Sequence, residues 1–164
     1  MTIEVKAISK ELGDLKRFVK FGIDLYKGND CYVPPLISDE IDTLDPIKNP
    51  AFDFCDAEYF MAYADGKPVG RMAAIIHHRA NEYSGKKEMR FGFVDFIDNR
   101  EVSGALFKAA IDWGKSNGME SIVGPLGFSD MDQEGMLVEG FDELSTMATI
   151  YNYPYYSEHL EAMG

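Results

Sequence analysis

The sequence feature that most constrains the fold is a pair of strand-like runs joined by an Asp-Gly turn. Residues 59–63 and 69–76 are mostly apolar or aromatic, and Asp65-Gly66 lies between them. Glycine tolerates the positive φ that a tight turn requires, so these residues predict a β-hairpin. This is the strongest local signal in the chain, and any fold assigned to the chain must contain it.

Strand and helix patterns occur on both sides of the hairpin. Residues 2–8 alternate apolar and polar side chains, which is typical of a half-buried strand. Residues 89–97 are mostly apolar on both faces, with Asp95 as their lone carboxylate, which predicts a strand covered on both sides. The other predicted elements are a helix that opens at Ser9 and breaks near Gly22, a short helix over 36–44, a helix from 98 to a stop at Gly118, a strand over 121–124 and a last helix over 154–163.

The helix after residue 97 begins with a pattern that resembles a capping box. Asp98 and Glu101 have the Asp-x-x-Glu spacing, which predicts that Asp98 caps the helix. An N-cap carboxylate would use the same backbone N–H groups that a bound phosphate needs. The predicted buried stripe of this helix consists of Val102, Leu106, Ala109 and Trp113.

Length and charge exclude several classes of protein. The 164 residues are enough for one domain, so we expect a single domain over 1–164. Of the 28 acidic side chains, nine lie in residues 116–164, which contain no Lys or Arg. Nucleic-acid binding needs clustered basic residues and is not expected. Residues 116–164 form either a solvated acidic surface or a surface whose negative field attracts a cationic amine or a basic partner.

Targeting and metal signals are absent from the sequence. No apolar run is long enough for a membrane span, and the first residues lack the pattern of a secretory signal, so we expect a cytoplasmic protein without membrane binding. Cys31 and Cys55 are therefore expected to be free thiols. The adjacent His77 and His78 would face opposite sides of a strand, and no ligand spacing emerges with the cysteines, so no metal site is predicted.

Several short segments carry a more specific resemblance. They are Leu25-Tyr26-Lys27-Gly28-Asn29 with Val33-Pro34-Pro35, residues 57–76, residues 91–98, Gly124-Pro125-Leu126 and Asn152-Tyr153-Pro154-Tyr155-Tyr156. With the order of the elements, they resemble the N-terminal part of a bacterial family of GNAT-like N-acetyltransferases. The resemblance implies an α/β (α+β) fold with a mixed, mostly antiparallel sheet and helices on both faces. It also implies transfer of an acyl group from acetyl-CoA or another acyl-CoA to an amine.

The resemblance implies a location for CoA. In the GNAT fold the fourth and fifth strands splay apart to admit the pantetheine arm, and the next helix offers its N-terminus to the pyrophosphate. The usual loop there is Arg/Gln-x-x-Gly-x-Gly/Ala, whereas this sequence has Asp98-Asn99-Arg100-Glu101-Val102-Ser103, without the glycines. The cofactor-binding residues assigned by the resemblance are Asn99, Arg100, Ser103 and Gly104.

The implied reaction needs a base for the amine proton and an acid for the leaving thiolate. In GNAT enzymes the acid is often a Tyr four residues before the Gly that ends the last helix. Leu160 occupies that position here, so Tyr155 and Tyr156, one turn earlier, are the candidates. Asp95 is the candidate base, because burial disfavours the charged form of a lone carboxylate. The structural alternatives are packing for the tyrosines and a hydrogen bond to a helix end for Asp95.

Three functional hypotheses remain open on the sequence. They are an N-acyltransferase acting on an unidentified amine, a noncatalytic GNAT-fold ligand-binding or regulatory domain, and an acidic protein-interaction module. The GNAT fold normally adds two strands after the final helix, so we expect these C-terminal strands to be missing and the fifth strand to have an unpaired edge. A homodimer or the missing C-terminal half would cover that edge. Alternatively, residues 136–149 supply a closing strand.

Overall fold

The structure, a computed structural model, describes every residue from 1 to 164. In chain order its elements are β1 (Ile3–Ala7), α1 (Leu12–Leu25), α2 (Ile37–Leu44), a 3₁₀ turn (Pro50–Asp53), β2 (Cys55–Ala64), β3 (Lys67–His77), α3 (His78–Ser84), β4 (Glu88–Phe96), α4 (Arg100–Ser116), β5 (Ser121–Val123) and α5 (Tyr155–Met163). All five predicted strands are present, and so are the predicted helices, while α3 was not predicted. No helix is both long enough and apolar enough to cross a membrane.

The predicted hairpin is confirmed as β2 and β3. The two strands pair antiparallel until Ala64 lies opposite Lys67, and Asp65 and Gly66 form the turn between them. Both turn residues have positive φ, 48° for Asp65 and 81° for Gly66. This is the backbone shape that matches the right-handed twist of paired strands.

The sheet has the order β1-β2-β3-β4-β5 and separates two apolar cores. Neighbouring strands are antiparallel, except that β4 and β5 are parallel. On one face Ala73 and Ile75 pack in a core with α1 and α2, and on the other face Met72 and Ala74 pack in a core with α4 and α5. Successive residues of β3 are thus buried on opposite faces, as expected for a strand covered on both sides. The predicted mixed sheet with helices on both faces is confirmed.

The buried stripe of α4 differs from the prediction. Val102, Leu106 and Ala110 are fully buried, whereas Ala109 and Trp113 are only partly buried. A residue every four positions keeps contact with the same line along the sheet, so Ala110 continues the stripe in place of Ala109.

Gly22 does not break α1, contrary to the prediction. The helix continues to Leu25, and Gly22 lies buried inside it. A Cβ atom at this position would overlap the guanidinium group of Arg71. The glycine is needed for close approach of a side chain and does not end the helix.

The closing strand proposed for residues 136–149 is absent. The chain between β5 and α5 contains no strand or helix. It is held by isolated hydrogen bonds, such as the two between the Asn152 amide and the backbone of Leu137. The sheet therefore ends at β5.

The outer edge of β4 is irregular. β5 pairs only with Glu88–Arg90, at the start of β4. A bulge follows, in which Phe93 and Val94 together lie opposite Met72 of β3. Phe93 has a φ of 47°, which residues other than glycine rarely adopt. Beyond the bulge no strand lies on the outer side of β4, opposite β3, so the sheet opens between β4 and the chain that follows β5.

We predict that Gly22→Ala destabilises the protein, because the added methyl group displaces a buried guanidinium. Overpacking of this kind costs about 1–3 kcal/mol. The matched control is Gly13→Ala in the same helix, where a Cβ meets nothing within 4 Å. Better helix propensity should make that variant neutral or more stable, by up to about 1 kcal/mol. Urea unfolding of both variants measures the difference, and equal effects would contradict the close-approach interpretation.

Candidate active site

A cavity of about 360 Å³ lies where β4 and the chain after β5 diverge. One wall consists of α2 and residues after α1, the floor includes the bulged part of β4, and the other wall is formed by residues 131–136 and 147–152. Its charged lining residues are Asp39, Glu40, Arg71, Asp95 and Asp132. The cavity thus contains four carboxyl groups and one guanidinium group.

Arg71 is a buried cation on β3. Its Nε and Nη2 atoms both lie 2.9 Å from Asp95 Oδ2, and Nη1 donates to the Phe18 carbonyl at 3.1 Å. The guanidinium also lies over the Phe18 ring, 5.0 Å from its centre. A charge-assisted hydrogen bond to a carboxylate is about twice as strong as a bond between neutral groups. Arg71 therefore joins β3 to β4 and to α1.

Asp95 is not the lone carboxylate that the sequence predicted. Besides the two guanidinium contacts on Oδ2, its Oδ1 atom accepts from the Tyr26 hydroxyl at 3.0 Å and from the Tyr156 hydroxyl at 2.9 Å. A carboxylate has about four acceptor positions, so its capacity is used. The structural alternative of a hydrogen bond to a helix end is met through side chains, because Tyr26 is the C-cap residue of α1 and Tyr156 lies in the first turn of α5.

The two tyrosines beside Asp95 are held as neutral phenols. Their hydroxyl oxygens lie 2.9 Å apart. Burial, followed by the nearby Asp95 charge, raises the pKa of Tyr26 well above that of a free phenol, and the same causes raise the pKa of Tyr156. Each hydroxyl therefore stays protonated and donates into the cluster.

Tyr155 and Tyr156 also complete the open edge of β4. The Tyr155 hydroxyl donates to the Phe96 carbonyl at 2.6 Å, and the Phe96 N–H donates to the Tyr156 hydroxyl at 3.3 Å. These two phenols from α5 occupy positions that a neighbouring strand would fill with its own backbone. The structure brings Asp95 and Tyr156 together, whereas Tyr155 has a backbone partner outside the cluster.

Glu40 is one of three carboxyl groups in this cavity that the sequence did not predict, the others being Asp39 and Asp132. Its Oε2 atom is buried and makes no hydrogen bond within normal distance and angle limits. Arg71 Nη1 forms a salt bridge with it at 3.5 Å, and one of the two Nη1 hydrogens is donated to the Phe18 carbonyl. Burial is the main cause that raises the pKa of Glu40, with Arg71 opposing and Asp95 adding to the rise.

The N-terminus of α4 is capped by Asn99 and not by Asp98. The Asn99 side chain accepts from the Glu101 N–H at 2.8 Å, because Asn99 directly precedes the first helical residue. Of the residues assigned to CoA, Asn99 and Ser103 are thus engaged internally, since Ser103 Oγ lies 2.8 Å from His159 Nδ1. Arg100 is exposed, and a side chain added at Gly104 would meet open space.

His159 connects Ser103 to Asp98. Its Nε2 atom lies 2.9 Å from Asp98 Oδ1, and its Nδ1 atom contacts the Ser103 hydroxyl. These residue types resemble a hydrolytic triad, but none of the three lines the cavity of about 360 Å³. The contacts instead attach α5 to the start of α4. No group of three or more His, Cys, Asp or Glu side chains is placed to hold a metal ion.

Two curated proteins are similar to this chain over most of its length. Protein YghO of Escherichia coli K12 is 36% identical over 151 residues, which cover 92% of this chain and 38% of that protein. The bacterial ceramide synthase of Caulobacter vibrioides is 31% identical over 156 residues, which cover 94% of this chain and 41% of that protein. The chain therefore spans about two fifths of the length of the curated relatives it matches. No protein-family model matches it.

Superposition on solved structures identifies the fold of this chain. A tandem GNAT protein from the clavulanic acid biosynthesis pathway superimposes with a TM-score of 0.63 at 14% identity, covering 99% of this chain and 43% of that chain. The chain has a GNAT-like fold. An aminoglycoside acetyltransferase from a soil metagenome, solved with sisomicin, has a TM-score of 0.52 at 16% identity, covering 74% of this chain and 75% of its own. A predicted acetyltransferase from Clostridium acetobutylicum, solved with acetyl-CoA, has a TM-score of 0.53 at 7% identity, covering 74% and 79%.

The position of the cavity can be compared with the position that the GNAT resemblance implied for the pantetheine arm. The resemblance implied a gap between the fourth and fifth strands, and the cavity lies beside the bulge of β4, where β5 no longer pairs. Arg71 and Glu40 were not predicted. Arg71 had a usable signal, since it is the one charged residue in the apolar run of residues 69–76, as Asp95 is the one carboxylate in residues 89–97. Glu40 had none, because an acidic residue in a short helix is ordinary.

We predict that Arg71→Met destabilises the protein strongly, because Asp95 and Glu40 would be buried without a cation. Removing one partner of a buried ion pair costs about 3–5 kcal/mol. The control is Lys108→Met, which removes an exposed partner of Asp112. That change should cost no more than about 1 kcal/mol. Chemical denaturation tests both, and similar losses would show that Arg71 does not hold the cluster.

We predict that ionisation of Glu40 makes the protein less stable as the pH rises. The folded chain holds the Glu40 proton more tightly than the unfolded chain, since the pKa is raised on folding. Above the ordinary value of about 4.3, and up to the raised value, folding therefore loses stability as pH rises. Glu40→Gln removes this loss, so it should gain stability relative to the unmodified protein as the pH rises above about 4.3. A pH-independent difference in unfolding free energy would contradict this.

Proposed function

We propose that this chain is an N-acyltransferase that moves an acyl group from an acyl-CoA to an amine. The observation that carries the proposal is the cavity beside the β4 bulge, with a buried cluster of ionisable groups at its floor. Buried, partnered ionisable groups in a cleft are typical of catalytic sites. The GNAT-like fold is the scaffold on which this reaction is expected.

The name of one relative supports the same bond formation. A ceramide is an amide of a fatty acid with a long-chain amine, so a ceramide synthase forms an N-acyl bond. The cavity has an apolar side that suits such chemistry, with Met131, Met136, Met147 and Ile150 among its lining residues. We therefore include long-chain acyl-CoA among the donors to be tested.

On the donor side, the acyl-pantetheine arm would enter where β4 and the chain after β5 diverge. The pyrophosphate would then lie near α4, where Arg100 is exposed and Gly104 leaves space. Asn99 already satisfies the Glu101 N–H, so this end offers fewer backbone donors than a glycine-rich loop. Weaker CoA affinity than in a glycine-rich loop follows from this arrangement.

The reaction forms one bond and breaks one. The amine nitrogen attacks the thioester carbonyl carbon, the C–N bond forms, the C–S bond breaks, and the CoA thiolate takes up a proton. In this proposal Tyr156 donates that proton, and its phenolate recovers one from the acylated nitrogen. Asp95 and Arg71 are positioning residues that hold the Tyr156 hydroxyl, and Tyr155 fixes α5 against Phe96.

A second candidate function is a noncatalytic ligand-binding domain. It is favoured by the N-terminus of α4, where Asn99 takes a backbone donor and Asp98 adds a negative charge held by His159. Both features oppose a pyrophosphate at that position. The two candidates differ in whether thiol is released from acyl-CoA.

We predict release of CoA thiol when the chain is mixed with acetyl-CoA or palmitoyl-CoA and primary amines. Tyr156→Phe should lower the rate by about 10²–10⁴-fold, the usual contribution of a positioned proton donor. The control is Tyr83→Phe, which alters a tyrosine that is 95% exposed on α3 and should leave the rate unchanged. A thiol-reactive dye and mass spectrometry of the amide provide the readout. Calorimetric CoA binding without thiol release would instead favour the noncatalytic domain.

A further inference from the structure

We propose that Glu40 is the binding site for the ammonium group of the acceptor, and that its carboxylate removes the proton that frees the amine for attack. The acceptor class is then a primary amine with an apolar substituent. This inference rests on the proposed acyl transfer for its catalytic part, whereas the binding site is tested without acyl-CoA.

The charge balance of the buried cluster carries the first step. Arg71 contributes one positive charge, and Asp95 and Glu40 each contribute a carboxylate beside it. One negative charge is thus left without a cation. Because an unpaired buried charge is costly, the cluster is neutralised either by a proton or by a cationic ligand.

The hydrogen-bond pattern assigns the unpaired charge to Glu40. All the acceptor capacity of Asp95 is used by Arg71 and two phenols, as described above. Asp132 accepts the N–H groups of Phe128 and Ser129 at 2.7 and 3.2 Å. Glu40 Oε2 alone is buried in the cavity wall without a donor, on a side chain that is 13% exposed. An ammonium group would supply the missing donor.

The walls near Glu40 suit an amine with an apolar body. Tyr26 is stacked between Tyr32 and Tyr153, with ring centres 4.3 and 4.7 Å away, so its two faces are covered. Tyr32 also lines the cavity, and an aromatic face attracts ammonium groups electrostatically. At the mouth, Leu36, Met131 and Met147 line the cavity and are 56%, 89% and 59% exposed, so an apolar chain would cover them. The cavity therefore combines one buried anion with an apolar rim.

The proton balance is complete. A bound ammonium transfers one proton to Glu40, and the neutral nitrogen then attacks the thioester. Its second proton passes to the Tyr156 oxygen after that phenol has protonated the thiolate, so the products are the amide, free CoA and protonated Glu40. Burial raises the pKa of Glu40 in the empty site, and a bound ammonium opposes that rise, so binding shifts Glu40 toward the carboxylate.

The direct test is calorimetric titration of the chain with n-octylammonium chloride at neutral pH, without acyl-CoA. We expect saturable binding to the unmodified chain and binding weaker by about tenfold or more for Glu40→Gln, because a charged hydrogen bond is lost. The control Asp42→Asn removes a carboxylate from the same helix, where Asp42 pairs with Lys48 outside the cavity. It should bind as the unmodified chain does. Equal affinity of Glu40→Gln, or no binding to the unmodified chain, would overturn the proposal.

A second measurement uses only the unmodified chain, so it does not depend on the folding of a variant. Titration near pH 6 in two buffers with different ionisation enthalpies reports protons released on binding. We expect net proton release and an affinity that increases with pH. The charged or titratable groups that face Glu40 are Arg71, Asp95, Asp132 and Tyr32, and only Glu40 among them has a carboxyl oxygen without a donor. Binding without proton exchange would overturn the proposal. Octylammonium binding without thiol release would leave the site intact and refute acyl transfer.

Discussion

The buried guanidinium of Arg71 is the interaction on which the rest of the structure depends. A cation that is only 5% exposed must be surrounded by acceptors, and they come from different parts of the chain. The Phe18 carbonyl comes from α1, Glu40 from α2 and Asp95 from β4. Space for the group exists only because Gly22 has no side chain. The same charge therefore contributes to how α1 and α2 pack on the sheet, and it leaves two carboxyl groups facing one cation.

The outer edge of β4 is the second constraint, and α5 is what satisfies it. β5 is short, so beyond the bulge β4 pairs with β3 on one side and has no strand on its outer side. Two consecutive tyrosines of α5 supply the missing donor and acceptor at Phe96, and one of them continues to Asp95. A helix side chain can end a sheet edge without extending the sheet. That leaves the bulged part of β4 free to form the floor of the cavity.

The GNAT-like fold and the ionisable cluster make unequal contributions to the functional proposal. The fold supports acyl transfer as the class of reaction, but the N-terminus of α4 departs from the phosphate-binding pattern, with Asn99 as its cap and His159 holding Asp98. The proposed acceptor side rests on the groups around Arg71. There one guanidinium faces the carboxyl groups of Asp95 and Glu40, and Glu40 Oε2 lacks a hydrogen-bond donor beside an apolar rim.

By itself the sequence determined the local elements and the presence of unusual polar residues. Asp65-Gly66 specified the hairpin turn, alternation specified β1, and Asp95 was identifiable as a carboxylate inside an apolar strand. Only the tertiary structure decided the partners, because they are distant in sequence. Asp95 lies 24 residues from Arg71 and 61 from Tyr156, separations at which no periodicity operates. The same limit applies to Gly22: its pattern suggests a helix break, yet a guanidinium from β3 requires the missing Cβ. Local patterns report local geometry, whereas charge pairing and close packing depend on which segments the fold brings together.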